Sequence, residues 1–267
     1  MKTVLLTGST DGIGKQTAIE LAGKEYHVFI HGRNSEKAKK VTSEIQQLTG
    51  NNNVEYVTGD FSSLHQVRTM ADEMSRRVDA LDVLINNAGI YLSQREMSED
   101  GYEMQFQVNH LSPFLLTNLL TDLLKKSDQG RVIVVSSMMH SGNLDLDNLQ
   151  GEKHYNGTDA YSRSKLLNLL FAYKLSDKLQ NSGITVNALH PGAINTKMLR
   201  SMYGGAGSST EKGAETPVYL ADSDEVKNVT GKYFVHKKPV SSSSASNDKS
   251  LQDKVWKISE KLSHLYS

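Results

Sequence analysis

The fold is predicted by one stretch near the start of the chain, Thr7-Gly8-Ser9-Thr10-Asp11-Gly12-Ile13-Gly14, which follows the apolar run Val4-Leu5-Leu6. Glycines allow a backbone to approach phosphate oxygens closely, and the N-terminus of the next helix offers free N–H groups and a positive dipole end. The spacing is G-x-x-x-G-x-G, so the stretch alone could equally be a tight turn between a strand and a helix. Its place directly after the first predicted strand favours a phosphate-binding site.

Seven short apolar runs alternate with longer segments of helical period. The runs are mostly apolar, which is typical of strands buried on both faces of a parallel sheet. The runs cover residues 4–6, 27–30, 54–57, 83–85, 131–135, 185–188 and 233–235. The alternation predicts a doubly wound α/β fold of the Rossmann type, with a seven-stranded parallel sheet between two layers of helices.

The segments between the runs carry apolar residues three or four positions apart. One such stripe consists of Val41, Ile45 and Leu48, and others lie within residues 64–78, 166–179 and 251–262. We expect these faces to pack against the sheet or its helices. The cations Lys237 and Lys238 are expected in a solvated turn.

The composition excludes several classes of protein. The 267 residues include 30 Lys and Arg against 30 Asp and Glu, so no global field attracts a nucleic acid. The lack of cysteine excludes disulfides and thiol nucleophiles and suits a reducing cytosol. No run approaches the roughly 18 apolar residues of a membrane span, and the nine histidines show no paired metal spacing. We expect one cytoplasmic domain over residues 1–267, with no nucleic-acid, membrane or metal partner.

A tyrosine and a lysine form the second chemical signal. Tyr161 and Lys165 are four residues apart at the start of a predicted helix, so their side chains share one face. A neighbouring ammonium favours a phenolate and so lowers the pKa of the phenol towards the range useful for acid–base chemistry. For an isolated pair the alternative is a solvated polar face.

The chain resembles the short-chain dehydrogenase/reductase family in five motifs that occur in the same order. The glycine turn and the Tyr161–Lys165 pair are the two defining motifs. The other three are Asn86-Asn87-Ala88-Gly89, Val135-Ser136-Ser137 and the segment 190–196, each after a predicted strand. Segments 101–111 and 149–153 are most similar to the retinol-dehydrogenase-like branch.

The resemblance implies a role for each residue of a catalytic set. Tyr161 would be the general acid in carbonyl reduction and the base in alcohol oxidation. Ser137 would bind the substrate oxygen, although Ser136 is the alternative with a turn-forming role. Lys165 would lower the pKa of Tyr161 and bind the nicotinamide ribose, and Asn109 would hold a water in a proton relay.

Pro113 supports a water-binding role for Asn109, and this argument does not depend on the family resemblance. Proline has no N–H group, so the main-chain carbonyl of Asn109 loses its partner four residues on and is free to bind a water. We therefore expect Pro113 to help build the relay site. The alternative is a plain kink without catalytic meaning.

Cofactor preference is predicted from the end of the second strand. An acidic residue there usually meets the 2′-hydroxyl of NAD, but the sequence is His31-Gly32-Arg33-Asn34, and Arg33 can grip a 2′-phosphate. We therefore expect NADP(H) over NAD(H), with a solvated surface arginine as the alternative. By resemblance, the predicted cofactor-binding residues are Gly8, Ser9, Thr10, Asp11, Gly12, Ile13, Gly14, Arg33, Asn34, Asp60, Phe61, Asn87, Ala88, Gly89, Tyr161, Lys165, Pro191, Gly192, Ile194 and Thr196.

Two segments are expected beside the substrate. Residues 138–156 form an insertion relative to many family members, and residues 193–215 are expected to form a lid. Residues 204–207 are expected to be its hinge, with a disordered loop as the alternative. Such insertions accompany a monomeric state in some relatives, so either a monomer or a homodimer is expected. The predicted substrate-contacting residues are Ser137, Met139, His140, Tyr161, Leu199 and Met202, with core packing as the alternative for the methionines and a satisfied loop histidine for His140.

These observations predict an NADP(H)-dependent oxidoreductase that interconverts a carbonyl and an alcohol on a small or medium apolar molecule. One alternative is an NADP(H)-binding regulatory protein with little catalysis. Another is enoyl reduction or epimerisation on the same scaffold, because a fold does not determine a reaction.

Overall fold

The computed structural model describes residues 1–205 and 207–265, and eight strands of this part form one sheet. The strands are β1 (Thr3–Leu6), β2 (His27–Gly32), β3 (Val54–Thr58), β4 (Val83–Asn86), β5 (Arg131–Val135), β6 (Thr185–His190), β7 (Tyr233–Val235) and β8 (Lys238–Val240). Their order is β3-β2-β1-β4-β5-β6-β7-β8. The first seven pair in parallel, which confirms the predicted α/β class and doubly wound sheet.

The eighth strand corrects the predicted count of seven strands and the predicted position of Lys238 in a turn. His236 and Lys237 have φ angles of 50° and 63°, so a two-residue turn reverses the chain between β7 and β8. Lys238 is not in a turn but begins β8, which pairs antiparallel with β7. All three residues of β8 are exposed, and it therefore lacks the buried apolar signal by which the other strands were predicted.

Ten α-helices connect or flank the strands of the described residues. They are α1 (Gly12–Gly23), α2 (Ser35–Thr49), α3 (Leu64–Arg77), α4 (Met104–Phe106), α5 (Ser112–Leu119), α6 (Thr121–Lys125), α7 (Gly157–Lys178), α8 (Lys197–Tyr203), α9 (Thr210–Asp222) and α10 (Lys249–Leu262). A π-helix, Gln107–Leu111, joins α4 to α5, and 3₁₀ helices span Leu146–Asn148, Asp224–Val226 and Ala245–Asn247. No helix of this part of the chain is both long and apolar enough to cross a bilayer.

The helices form two layers because successive residues of a buried strand face opposite sides of the sheet. Leu5 of β1 belongs to the core that contains residues of α3, α5 and α7. Its neighbours Val4 and Leu6 belong to the core that contains residues of α1, α2 and α9. The sheet is thus covered on both faces, as parallel sheets require.

Two helix faces differ in how well they match their predicted stripes. On α2, Val41 and Ile45 are buried as expected, but Leu48 is 64% exposed because the helix ends at the next residue. The predicted C-terminal helix is present as α10, and its Trp256 packs edge-on against Phe114 of α5 and stacks on Phe171 of α7 at centroid distances of 4.9 and 6.1 Å.

Candidate active site

One cleft with a volume of about 1070 Å³ opens where the parallel strands end. Its walls come from the segments that follow β1, β2, β3, β4, β5 and β6. The chain reverses its direction of strand addition between β1 and β4, and ligands of doubly wound sheets bind at such a switch point. The cleft therefore lies where this fold class places its functional site.

The glycine turn is packed tightly against the end of β4. Gly8 has a φ of +65°, and a Cβ atom there would lie 2.7 Å from the Cα of Ala88. A Cβ at Gly14 would lie 2.5 Å from the carbonyl oxygen of Gly8. The side-chain amide of Asn87 donates to the carbonyl oxygens of Thr7 and Gly8, at 2.9 and 3.0 Å. These contacts fix the turn in front of the first amides of α1.

Asp11 caps the N-terminus of α1 and carries two ion pairs. Its carboxylate accepts a hydrogen bond from the Gly12 amide at 2.9 Å and lies 2.8 Å from Lys197 Nζ and 3.4 Å from Lys37 Nζ. The hydrogen bond from Lys197 is the main reason that the pKa of Asp11 falls to about 2. The carboxylate is therefore ionised and paired beside the glycine turn, and it links this turn to α8.

Tyr161 and Lys165 both line the cleft from α7. The Lys165 amino group lies 5.4 Å from the centre of the Tyr161 ring and donates to the carbonyl oxygen of Val135 at 3.2 Å. Burial lowers the pKa of Lys165 to about 8. The ring of Tyr91 stands edge-on to Tyr161, with centroids 6.2 Å apart. The structure thus places the predicted pair on the cleft rather than on a solvated helix face.

The two candidate serines after β5 have different partners. The Ser136 hydroxyl donates to the carbonyl oxygen of Lys165 at 2.7 Å and so ties β5 to α7. The Ser137 hydroxyl accepts from the Met139 amide at 3.0 Å, and Ser137 lines the cleft. Because Ser136 uses its proton within the protein, Ser137 is the better candidate for binding a substrate oxygen.

Asn109 lies in the π-helix, four residues before Pro113. Its side-chain oxygen accepts from the Ile90 amide at 2.7 Å, and its side-chain nitrogen donates to the Ile90 carbonyl and the Ser164 hydroxyl, both at 3.0 Å. The side chain is therefore occupied in joining the segment after β4 to α7. The helix widens beside the proline, and such π-helical turns are frequent at functional sites.

Most predicted cofactor residues line the cleft, and three do not. Ser9 is buried behind the turn, where its hydroxyl accepts from the His31 amide at 2.8 Å. Asn34 caps α2 by accepting from the Lys37 amide at 2.8 Å, and Ile194 is buried. The predicted residues that line the cleft are Gly8, Thr10, Asp11, Gly12, Ile13, Gly14, Arg33, Asp60, Phe61, Asn87, Ala88, Gly89, Tyr161, Lys165, Pro191, Gly192 and Thr196.

Four predicted substrate residues are not among the described residues that line the cleft. They are Met139, His140, Leu199 and Met202. The His140 ring instead bonds the Ser137 carbonyl at 2.6 Å and accepts from the Ser243 amide at 3.1 Å, as expected for a satisfied loop histidine. The apolar wall is formed by other side chains, namely Ile90, Tyr91, Leu92, Met104, Val108 and Met198.

The predicted insertion packs against the start of α4. Buried Glu103 accepts from the amides of Gln105 and Phe106 and from the hydroxyl of Tyr155, which belongs to the insertion. Burial raises the pKa of Glu103.

The predicted lid contains α8, and Ala206 within its expected hinge lies outside the described residues.

Sequence reasoning did not assign roles to two histidines of the cleft. His31, at the end of β2, is buried under the glycine turn. His190 lines the cleft at the end of β6, and its Nδ1 atom is buried with no hydrogen-bond partner in the part of the chain that the structure describes. Burial lowers the pKa of His190 to about 4. Their position at strand ends was the available signal.

Among the described residues, no group of three or more His, Asp or Glu could hold a metal ion.

A doubly wound sheet with a glycine turn, a cleft at the switch point and a Tyr–Lys pair defines a dinucleotide-binding oxidoreductase. The sequence model of the short chain dehydrogenase family matches residues 2–205. Human retinol dehydrogenase 13 is 40% identical over 98% of this chain and 84% of its own length. Human polyprenol dehydrogenase is 35% identical over 96% of this chain and 83% of its own length.

Solved structures agree with these sequence matches. An uncharacterised protein from Mycobacterium paratuberculosis has a TM-score of 0.83 and 31% identity, over 99% of this chain and 94% of its own. A short chain dehydrogenase from Shigella flexneri in complex with NADP has a TM-score of 0.74 and 26% identity, over 89% of this chain and 97% of its own. The chain belongs to the short-chain dehydrogenase/reductase family. Within that family it lies in the retinol-dehydrogenase-like branch.

Proposed function

We propose that the protein transfers a hydride between NADP(H) and a carbonyl or alcohol group of an apolar small molecule. The observation that carries the proposal is the position of Tyr161, Lys165 and Ser137 on the cleft that also contains the glycine turn. A tyrosine beside a buried ammonium can exchange a proton with a substrate oxygen, and the turn can hold the phosphates of a dinucleotide.

The residues of the cleft fit a nicotinamide dinucleotide. A volume of about 1070 Å³ is at the upper end for small-molecule sites. A Cβ at Gly89 would lie 3.5 Å from Lys165 Nζ and 3.3 Å from Asn109 Oδ1, so this glycine leaves space beside the lysine. When bound, the cofactor supplies or accepts the hydride.

The protein's own residues would hold the reactants and move one proton. The Tyr161 hydroxyl donates its proton to the carbonyl oxygen during reduction and takes it back during oxidation. The Lys165 ammonium stabilises negative charge on the Tyr161 oxygen and binds ribose hydroxyls, while the Ser137 hydroxyl binds the substrate oxygen. Pro113 leaves the main-chain carbonyl of Asn109 without an α-helical partner, and this carbonyl would bind the relay water.

Preference for NADP(H) over NAD(H) rests on the residues after β2. Gly32 stands where an NAD-binding site has a carboxylate, and exposed Arg33 lines the cleft beside it. A guanidinium can donate two hydrogen bonds to a phosphate. The structural relatives from Shigella flexneri and Escherichia coli that carry NADP or NADPH support this preference.

The substrate is proposed to be an apolar alcohol or carbonyl compound. Ile90, Leu92, Met104 and Val108 line the cleft and offer an apolar wall. Relatives named retinol dehydrogenase and polyprenol dehydrogenase point to the same class. The segment 193–215 is proposed to cover the bound substrate, because its helix α8 supplies Met198 to the cleft wall and Lys197 to the ion pair with Asp11.

The proposal is tested by following NADPH oxidation with a panel of ketones, aldehydes and quinones, including retinal. We expect turnover with apolar carbonyl compounds, and a Tyr161→Phe variant that binds NADPH normally but turns over at least 100-fold more slowly. Unchanged turnover by this variant would overturn the mechanism. NADPH binding without turnover would indicate a regulatory protein, and turnover confined to conjugated double bonds would indicate enoyl reduction.

A further inference from the structure

His31 is a buried histidine that contacts two different walls of the cleft. Its Nδ1 atom lies 3.1 Å from the Gly8 amide nitrogen, and its Nε2 atom lies 2.9 Å from the carbonyl oxygen of Gly59. Gly8 belongs to the phosphate-binding turn after β1, whereas Gly59 begins the segment after β3. The imidazole therefore connects two segments that are not adjacent in sequence.

These two contacts determine which ring nitrogen carries the proton. The Gly8 amide is a donor, so Nδ1 accepts and carries no proton. The Gly59 carbonyl is an acceptor, so Nε2 carries the proton and donates it. Burial lowers the pKa of His31 to about 4, which agrees with a neutral ring at neutral pH. Protonation of Nδ1 would break the contact to Gly8.

The ring and the main chain of His31 add further links between the same segments. The imidazole stacks on the Phe61 ring with centroids 4.6 Å apart and planes at 25°. The His31 amide donates to the Ser9 hydroxyl at 2.8 Å, and the Ser9 amide donates to the His31 carbonyl at 2.9 Å. Both Phe61 and Gly8 line the cleft, as does His31 itself.

We infer that His31 is a positioning residue for the dinucleotide, whose imidazole sets the spacing between the phosphate-binding turn and the wall at Gly59–Phe61. The inference rests on the proposed function, because it takes this cleft as the dinucleotide site. It extends that function by separating cofactor affinity, which depends on His31, from the proton transfer at Tyr161, which does not.

The alternative is a histidine that merely fills the core. A core-filling role requires packing volume only, whereas this ring makes directed hydrogen bonds from both nitrogens. Loss of one bond would leave the Gly8 amide or the buried Gly59 carbonyl without its partner and would release one wall from the other. The positioning role therefore predicts a loss of cofactor binding that side-chain volume alone does not restore.

The test measures the dissociation constants of NADPH and of 2′,5′-ADP for the full chain and for four variants. His31→Ala removes both bonds. His31→Asn can keep the acceptor near Gly8, and His31→Gln can keep the donor near Gly59. His27→Ala is the matched control, because His27 is on the same strand but pairs with Glu55 at the opposite end, at 2.7 Å.

We expect His31→Ala to weaken binding of both ligands about tenfold, the scale of one or two lost hydrogen bonds, and the Asn and Gln variants to weaken it less. The kcat at saturating NADPH should stay within about twofold, and the control should bind as the unaltered chain does. Equal NADPH affinity in the unaltered chain and in the Asn and Gln variants would overturn the inference. Absence of dinucleotide binding by the unaltered chain would instead overturn the proposed function.

A measurement without substitution covers the case in which His31→Ala does not fold. Nitrogen-15 NMR of the unaltered chain should show a neutral His31 ring with the proton on Nε2 between pH 5.5 and 8. A proton on Nδ1, or a charged ring in this range, would overturn the inference because Nδ1 could not then accept from Gly8.

Discussion

The amino group of Lys165 is held 5.4 Å from the centre of the Tyr161 ring by its hydrogen bond to the Val135 carbonyl. This position places a charge next to the phenol, but it also takes the ammonium out of water. Burial accordingly lowers the pKa of Lys165 to about 8. We therefore expect the buried charge on Lys165 to support activity but to lower the free energy of unfolding.

Carbonyl reduction should slow as the pH rises above about 8. Above this pH Lys165 loses the charge that stabilises the Tyr161 oxygen. We expect the rate at saturating NADPH to fall by up to tenfold for each further pH unit. Initial rates from pH 6 to 10 measure this. A Lys165→Arg variant that is active should keep its rate to higher pH, because arginine stays charged; a flat profile for the unaltered chain contradicts the prediction.

The buried ammonium should also destabilise the fold at neutral pH. The pKa of Lys165 is about 8 when folded and about 10.4 when unfolded, so the unfolded chain binds more protons between these values and the free energy of unfolding rises with pH there. Below pH 8 the penalty is on the order of 3 kcal/mol. We expect Lys165→Met to be inactive yet more stable in urea at pH 7, with a smaller gain at pH 9.5. A variant less stable at pH 7 would contradict this.

Arg33 should determine the choice between the two nicotinamide cofactors. Replacement by alanine removes the guanidinium proposed to bind the 2′-phosphate. We expect the KM for NADPH to rise about tenfold or more while the KM for NADH changes little. Arg76→Ala, an exposed arginine at the end of α3, is the matched control. An equal rise in both KM values would show that Arg33 acts on the fold rather than on the phosphate.

Lys197 should protect the cofactor phosphates from the charge of Asp11. Without Lys197 Nζ, 2.8 Å away, the Asp11 carboxylate would face the phosphates with only Lys37 beside it. We expect Lys197→Ala to weaken NADPH binding a few fold at low salt, and less at 0.5 M salt because exposed charges are screened. Titrations at both salt concentrations measure this, and Asp11→Asn in the same background should restore affinity. Equal weakening at both salt concentrations would argue against the electrostatic explanation.

Two glycines of α1 should respond to alanine in opposite ways. A Cβ at Gly14 would lie 2.5 Å from the Gly8 carbonyl oxygen, whereas a Cβ at Gly23 has nothing within 4 Å. We expect Gly14→Ala to lose NADPH affinity and about 1–3 kcal/mol of stability. Gly23→Ala should gain roughly 0.5–1 kcal/mol. Urea unfolding and NADPH titration of both variants decide this, and equal tolerance of the two substitutions would show that the turn is not tightly packed.

The sheet could be predicted because most residues of its seven parallel strands are apolar. β8 could not, since its residues are exposed and its pairing depends on the left-handed conformations of His236 and Lys237. Leu48 has the spacing of a buried residue, but helical period does not show where the helix itself ends, here at Thr49. Strands were therefore predicted correctly where burial requires apolar residues.

The lining of the cleft was predictable where the expected chemistry restricts the residue type, as at Tyr161, Lys165 and the glycine turn. The apolar wall was not, because many apolar side chains can serve and tertiary packing decides which ones face the cleft. Met139 and Met198 illustrate this, since both follow strands and only Met198 is among the described lining residues. The role of His31 also depends on contacts with Gly8 and Gly59, which no local pattern reveals.

The packing of α10 has a consequence for how the fold is acquired. Trp256, the single tryptophan of the chain, touches Phe114 across more than half the length of the sequence. Contacts of such large sequence separation bear a high loop-closure entropy, and we therefore expect this contact to form late in folding. The emission of Trp256 should thus follow completion of the aromatic core, and stopped-flow fluorescence would time this step separately from the earlier growth of secondary structure.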